Sequence, residues 1–409
     1  MPATHSIATE PAAKPSRKIA PGRSATLRFW GVRGSTPTVD KATWRYGGNT
    51  ACVELTTPTG ARLILDCGTG LRMLGRHLEA ASQEPQAHEP HIFVTHYHWD
   101  HIQGIPFFTP LYDEQNRFHF YSFRSEYLGA GSLKRVFEAQ MAYPYFPVDL
   151  AAMCAKREFT EVGGGDEICV PGARVMARWL HHPQGCLGFR FETSVGTVVY
   201  ATDNEPGDPA LDKSLRELAA GADIFINDAQ FTPEQLTTTR KGWGHSSWVE
   251  GVKIAAEVGV KNLVLFHHDP DSTDKAVDSI LREARGKFDN VWAAAEGMVM
   301  TLGDEELDVV IPASREGLRR DAHFRARVSG QTEAGHAFEE ETVISDLTLH
   351  GALIYLDHSP KLQSELQVLL DNPGIDGSSN SPLRLRGYVV RIEAQEDKER
   401  TAVGIVFTE

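Results

Sequence analysis

No run of about 18 apolar residues occurs anywhere in the 409-residue chain, so nothing in it reads as a membrane-spanning helix. Cysteine is scarce. The five residues Cys52, Cys67, Cys154, Cys169 and Cys186 are odd in number and lack metal-type spacing. They read as reduced thiols of a cytoplasmic protein. Positive charge is in deficit, with 41 Lys and Arg against 55 Asp and Glu. The net charge of −14 argues against broad, non-specific nucleic-acid binding and leaves room for a local basic pocket. The opening MPATHSIATEPAAKPSRKIAPGRSA has no apolar h-region and is not expected to be a signal peptide. Its Pro, Ala, Ser and basic content predicts a disordered tail over residues 1–24. Hydrophobic content of 41% and charged content of 23% are those of an ordinary globular chain, long enough for two domains.

What the chain does have is Thr95-His96-Tyr97-His98-Trp99-Asp100-His101, with four metal-ligand side chains within six residues. The preceding His91-Ile92-Phe93-Val94-Thr95 reads as a buried strand. The motif therefore sits on the loop leaving a strand, where a rigid sheet can aim side chains at one point. Alternation sends His96 and His98 the same way as a chelating pair, while Asp100 and His101 turn off to a second centre. Neutral imidazole and carboxylate suit zinc, manganese or iron.

This stretch resembles the metallo-β-lactamase fold superfamily, whose His-x-His-x-Asp-His pattern is met without substitution. The resemblance implies an α/β fold over residues 25–302, a four-layered αβ/βα sandwich with a one- or two-metal centre between two sheets. Periodicity along the chain fits strands alternating with helices. The strand at 62–66 ends in Asp66-Cys67-Gly68-Thr69-Gly70, which looks like the family's Asp-x-Gly element, whose carboxylate braces the metal loop. Other strands end at His181-His182-Pro183, at Ala201-Thr202-Asp203, at Asn227-Asp228 and at His267-His268. The resemblance implies His182 as the third histidine, because the family form is His followed by Pro; His181 is the alternative. It likewise implies Asp203 as the bridging aspartate and His267 as the last histidine, with His268 outside the ligand set. Metal one would then take His96, His98 and His182. Metal two would take Asp100, His101 and His267, with Asp203 shared. Two such cations, zinc first with manganese or iron as alternatives, stand about 3.5–4 Å apart in two-metal sites. Asp100 would also orient the attacking hydroxide.

The segment Gly242-Trp243-Gly244-His245-Ser246-Ser247-Trp248 narrows the chemistry. It resembles the Gly-His-Ser element of the superfamily's phosphodiesterase branch, which includes tRNase Z-like and cyclic phosphodiesterase-like proteins. Asp228 stands where that branch has an acid, shorter than Glu by one methylene. The implied catalytic set is Asp100, His245 and Asp228, with His245 contacting a phosphate oxygen or protonating the leaving alkoxide. Ser246 or Ser247 would cap the next helix. The run from Phe29 through Pro37 and Tyr46 through Thr50 resembles the same branch, specifically the small cyclic phosphodiesterases. Arg33 and Arg45 on those loops are candidate phosphate partners. The cluster Tyr143-Pro144-Tyr145-Phe146-Pro147 is a candidate roof for the cleft or packing for an inserted hairpin. No long arm of the kind tRNase Z uses to grip tRNA is visible.

Composition shifts at Gly303-Asp304-Glu305-Glu306, and a linker is expected over 303–314. Residues 315–409 carry short strands and Gly, Asn, Ser and Pro turns, the pattern of a small β-barrel. Arg315 to Arg325, Asp346-Leu347-Thr348-Leu349-His350-Gly351 and the closing strands resemble a PilZ domain. The resemblance implies cyclic di-GMP binding through Arg319, Arg320, Asp346, Thr348 and Gly351, with guanidinium forks on phosphates and guanine edges. Thr348 replaces the pattern's Ser and keeps its hydroxyl. Arg315 and Arg319 have the pattern's spacing but lie early, and Arg320 to Arg325 is one residue too long. Two function classes follow. One is a dinuclear metal phosphodiesterase acting on a small phosphodiester, a cyclic nucleotide among them, with a nucleotide-sensing barrel; an RNA endonuclease is the runner-up. The other is a signalling adaptor. A homodimer is among the partners this reading allows.

Overall fold

Alternation of inward and outward side chains builds the first unit. The computed structural model describes residues 24–81, 88–303, 307–311, 324–347, 351–370, 383–394 and 400–408. The chain divides into two units, Met1–Pro312 and Ala313–Glu409. The expected tail lies outside the described residues except for Ser24, which opens the first strand.

In the first unit β1 (Ser24–Gly31), β2 (Cys52–Thr56), β3 (Arg62–Leu65), β4 (His91–Phe93), β5 (Arg117–Ser122) and β6 (Lys156–Glu161) lie side by side in that order. A second sheet holds β7 (Glu167–Val170), β8 (Ala173–Leu180), β9 (Cys186–Thr193), β10 (Gly196–Ala201), β11 (Ile224–Asp228), β12 (Leu263–Phe266) and β13 (Val291–Ala293). The chain then returns to the first sheet with β14 (Val299–Gly303) against β1 and β15 (Asp308–Val310) at the edge. The stretch expected to be linker therefore ends β14 and contributes an edge strand, because Val309 and its neighbours have a free sheet edge to pair with.

The core strands are apolar on both faces, as strands covered on both sides must be. Leu63, Leu65 and Phe93 point between the sheets, where they meet Phe189, Tyr200, Ile226 and Phe266. Ile64 and Ile92 point the other way, onto α1 (Gly70–Ala81), through Leu71, Leu74 and Leu78. The short α2 (Trp99–Ile102) and α3 (Ser132–Gln140) add Ile102, Leu133 and Phe137 to that layer. On the far side Phe225, Leu263 and Leu265 meet α4 (Pro209–Ala219), through Leu215 and Leu218. After the short α5 (Pro233–Thr237), α6 (Trp248–Glu257) and α7 (Asp274–Arg285) complete this layer. The result is the expected αβ/βα sandwich. Ser247 is the N-cap of α6, and its hydroxyl makes no capping bond. β8, β10, β11 and β12 run the same way, so their carboxyl ends share one rim of the sandwich with those of β3 and β4.

The second unit is a closed six-stranded barrel in the order β16 (Phe324–Gln331), β17 (Ala337–Leu347), β18 (Gly351–Leu356), β21 (Thr401–Thr408), β20 (Leu383–Ala394), β19 (Glu365–Leu370). Closure removes the free edges that a short sheet would expose. Val328, Ile344, Ile354, Leu366, Val389 and Val403 fill the inside. Arg319, Arg320 and Thr348 lie outside the described residues. Asp346 falls just after a register shift in β17, and Gly351 opens β18 opposite Val406.

Candidate metal centre

Each ring in the cluster is turned by an acceptor on one nitrogen, so that its other nitrogen faces the cluster. His101 Nδ1 lies 2.8 Å from Asp66 Oδ2. His267 Nδ1 lies 2.9 Å from Gln230 Oε1, and His182 Nδ1 2.8 Å from the Gly244 carbonyl. His96 Nδ1 lies 3.1 Å from Thr95 Oγ1, whose own proton goes to Asp66. Acceptors on Nδ1 fix the proton there and leave Nε2 a bare lone pair. These lone pairs converge. His101 Nε2 and His267 Nε2 are 3.2 Å apart, and His182 Nε2 is 3.0 Å from His98 Nδ1. With both nitrogens unprotonated, as metal ligands must be, each pair would repel at that distance unless a cation lay between them.

The fit to metal can be tested on one atom. His96 Nε2 is buried and has no hydrogen-bonding partner in the protein, a costly state for a polar atom unless it serves as a ligand. Tetrahedral bonds of 2.0–2.1 Å place neighbouring donors about 3.3–3.5 Å apart. His101 Nε2 lies 3.3 Å from Asp100 Oδ2, and His267 Nε2 lies 3.2 Å from it. Asp203 faces both halves. Its Oδ2 is 3.3 Å from His101 Nε2 and 3.4 Å from His267 Nε2. Its Oδ1 is 3.8 Å from His96 Nε2 and 4.0 Å from His182 Nε2. One carboxylate thus spans a group of His96, His98 and His182 and a group of Asp100, His101 and His267, and these residues suit a pair of divalent ions.

Burial pushes His96 well below the usual imidazole range and His182 down to about 4, so both are neutral bases. Burial also opposes charge on Asp203, but His267, His101 and His96 outweigh it and hold the carboxyl well below the usual range. Three of these positions have left-handed backbone: Asp66 at φ 61°, Asp203 at φ 56° and His267 at φ 60°. Such a turn costs about 1–3 kcal/mol for a non-glycine residue and persists only where surroundings hold it. Each sits just after the end of β3, β10 or β12, and the turn brings the side chain off the strand end into the cluster.

Asp66 is fully buried and braces the centre. It accepts from Thr95 N at 2.8 Å, from Thr95 Oγ1, from His101 and from Tyr200 Oη at 2.9 Å. Tyr200 comes from the opposite sheet, so this bond ties the two sheets together under the metal loop. His181 is not part of the cluster; its Nδ1 goes to the Glu205 carbonyl at 2.9 Å. His268 is buried and bonds the Ala294 carbonyl at 2.9 Å. Burial, with Arg33 nearby, pushes its pKa down to about 3.

His245 lies 2.9 Å from Asp228 Oδ2 through Nδ1, which leaves Nε2 for the cleft that the ring lines. Burial alone would lower its pKa, but Asp228 outweighs burial and holds it at about 9. Asp228 is fully buried, does not line the cleft, and accepts from Ser246 N, Gln230 N and Asp203 N as well. Its place is behind His245, as a positioning residue. Glu205 was not legible in advance: its two oxygens accept the N–H groups of Gly242 and Gly244, both at 2.8 Å, and so clamp the loop that carries His245. Gln230 and Ser35 were missed too. Gln230 Nε2 donates to Ser35 Oγ at 3.0 Å, and Ser35 N donates to Asp100 Oδ2 at 2.7 Å.

The two candidate phosphate arginines do other work. Arg33 is fully buried and donates to the carbonyls of Gly47, Asp269 and Ser272 at 2.7–2.9 Å. Arg45 pairs with Asp278. Tyr143 and Tyr145 are 91% and 81% exposed and are not among the residues lining the cleft. Phe146 packs edge-on against Phe107 at 5.8 Å. Of the cluster only Phe146 packs, and the two tyrosines stand in solvent away from the cleft. The cleft of about 430 Å³ is lined instead by Ser35, Tyr97, His98, Trp99, Gln184 and His245, with Asp100 and Asp203 at its base.

Four layers with a His and Asp donor set at the shared strand ends define a metal-dependent hydrolase. The chain belongs to the beta-lactamase superfamily, whose domain matches residues 61–268, half of the sequence. A PilZ domain matches residues 314–409. A ribonuclease Z of Haloarcula marismortui is 25% identical over 317 residues, covering 66% of this chain and 95% of that protein. Among solved structures, the metallo-beta-lactamase fold protein YhfI of Bacillus subtilis has a TM-score of 0.51 at 18% identity, covering 68% of this chain and 99% of its own. A diphosphatase of the PhnP family has a TM-score of 0.50 at 20% identity, covering 68% and 98%. These two likenesses show a shared fold.

Proposed function

We propose that the first unit hydrolyses a phosphodiester at a pair of divalent cations, zinc first, and that the PilZ domain binds cyclic di-GMP and sets its rate. The observation that carries the hydrolysis is the His245–Asp228 pair at 2.9 Å beside the donor cluster. The thiolate of a thioester leaves without protonation, whereas expulsion of an alkoxide from phosphorus is helped by an acid placed as His245 is. Cations held by His96, His98, His182, Asp100, His101, His267 and Asp203 supply Lewis acidity toward the phosphoryl oxygens and an acidified water. Water adds to phosphorus and gives up a proton to solvent, the P–O ester bond breaks, the leaving alkoxide takes a proton from His245 Nε2, and His245 regains one from solvent. Asp228 accepts from Nδ1 and so orients the imidazolium with its Nε2–H toward the cleft. The Ser35 N–H fixes the Asp100 carboxylate, and Asp66 fixes His101.

The ribonucleases Z among the relatives make RNA the second substrate class to test. For the barrel, the PilZ match supports nucleotide binding. The deciding experiment is a panel on metal-reconstituted protein: cyclic mononucleotides, cyclic dinucleotides, a small RNA, bis-p-nitrophenyl phosphate and nitrocefin. Turnover of a phosphodiester without nitrocefin hydrolysis is expected. Hydrolysis of nitrocefin alone would overturn the reading.

A further inference from the structure

The chemistry above leaves one aromatic ring in the cleft wall without a task. Trp99 lies between two donor residues, His98 and Asp100, and opens the short helix that aims them. Its backbone is therefore held by the same turn that sets the metal geometry. Yet the residue is 80% exposed and lines the cleft. The chain has seven tryptophans. Trp30 donates to Glu54 and Trp44 to the Val39 carbonyl. Trp179 packs on Phe123, and Trp243 on Phe231 and Arg240. Trp248 lies within a few ångströms of Lys287, and Trp292 of Arg285. Of these seven, all among the described residues, Trp99 alone has neither a side-chain hydrogen bond nor a ring or cation partner.

The neighbouring rings in the cleft are committed. Tyr97 stacks on Phe123 at 4.8 Å and bonds its carbonyl, and the Gln184 side chain bonds His98. An unpartnered indole on a fixed backbone, beside a phosphate-binding centre, is suited to a flat aromatic ring and offers little to an alkyl chain. We infer that Trp99 is the stacking platform for the base of a nucleotide esterified at the scissile phosphate, so that nucleotide phosphodiesters, rather than alkyl ones, are the substrate class. This rests on the phosphodiesterase reading.

The test compares two esters with the same leaving group: the p-nitrophenyl ester of thymidine monophosphate and ethyl p-nitrophenyl phosphate. Wild type should prefer the nucleotide ester. Trp99→Ala should lower kcat/KM on that ester by about 5–150-fold, the usual worth of one base–aromatic stack. The loss should fall mainly in KM, with the ethyl ester unchanged. Trp99→Tyr should restore most of it, and metal content should match wild type in both variants. Calorimetry should agree, with thymidine monophosphate bound more tightly than inorganic phosphate by wild type and not by Trp99→Ala. An equal fall on both esters, or none on the nucleotide ester, would overturn the stacking role while the phosphodiesterase reading stood. Turnover of neither ester by wild type would remove that reading and this one with it.

Discussion

Asp228 Oδ2 lies 2.9 Å from His245 Nδ1, and the same oxygen accepts the backbone N–H of Asp203 at 3.1 Å. One buried carboxylate thus sets both the ring that faces the cleft and the backbone of the carboxylate that spans the two donor groups. Its other oxygen takes the N–H groups of Gln230 and Ser246. The carboxylate is thus held by backbone donors on one side and by the His245 ring on the other. Proton delivery and metal placement are therefore mechanically joined.

Removal of the acid separates the two functions. His245→Ala should cut phosphodiester turnover by about 10²–10⁴, the usual range for a lost general acid. Metal content should stay as in wild type, because Asp228 occupies His245 Nδ1 and the ring is not in the proposed ligand set. The loss should be smaller for p-nitrophenyl esters, whose leaving group needs little protonation. Steady-state rates on an activated and an unactivated ester, with metal analysis, check this; equal losses on both would point to phosphate binding alone.

Asp203→Ala should lower the content of both ions, since Oδ1 faces His96 and His182 while Oδ2 faces His101 and His267. A ligand to one ion only would cost one. Elemental analysis of purified, folded protein distinguishes these outcomes. Full two-ion content with unchanged activity would remove the bridging role.

Much of this architecture was legible in the sequence because it is local. His96, His98, Asp100 and His101 lie within six residues, and Asp203 and His267 follow apolar runs that could only be buried strands. What stayed hidden depends on which way a side chain turns. Tyr200 reaches Asp66 across 134 positions and two sheets, and no local pattern marks such a bond. Glu205 carries no local signal in the sequence, yet it clamps the loop before His245. Arg33 misled in the other direction: a guanidinium on a glycine-rich loop suggested phosphate, but burial turns it onto backbone carbonyls. The aromatic run from Tyr143 shows the same limit, since stacking residues and packing residues share one composition.

Gly34 is required by space. A Cβ added there would stand 2.4 Å from His267 Nδ1 and 2.8 Å from Gln230 Oε1. The His267 ring is held from both sides and cannot yield without leaving the cluster. Gly34→Ala should therefore weaken the group of Asp100, His101 and His267 more than the group of His96, His98 and His182. Metal titration should show one ion lost preferentially, with circular dichroism unchanged. Two ions bound as in wild type would show that the loop moves instead of the ring.

The barrel supplies the last test. If the PilZ domain senses cyclic di-GMP, binding should depend on Arg319 or Arg320 for the phosphates and on Asp346 and Thr348 for a base, with Gly351 leaving the backbone approachable. Arg319→Ala combined with Arg320→Ala should then abolish the heat of cyclic di-GMP binding to the whole chain, while basal hydrolysis, housed in the other unit, stays intact. Linkage adds a second reading. A ligand that changes the substrate affinity of the metal site must have its own affinity changed by substrate to the same factor. Calorimetry of the whole chain with and without a non-hydrolysable substrate analogue measures that factor directly. An unchanged affinity alongside a changed turnover would place the regulation in the rate of the chemical step, and no heat at all would leave the barrel as an adaptor.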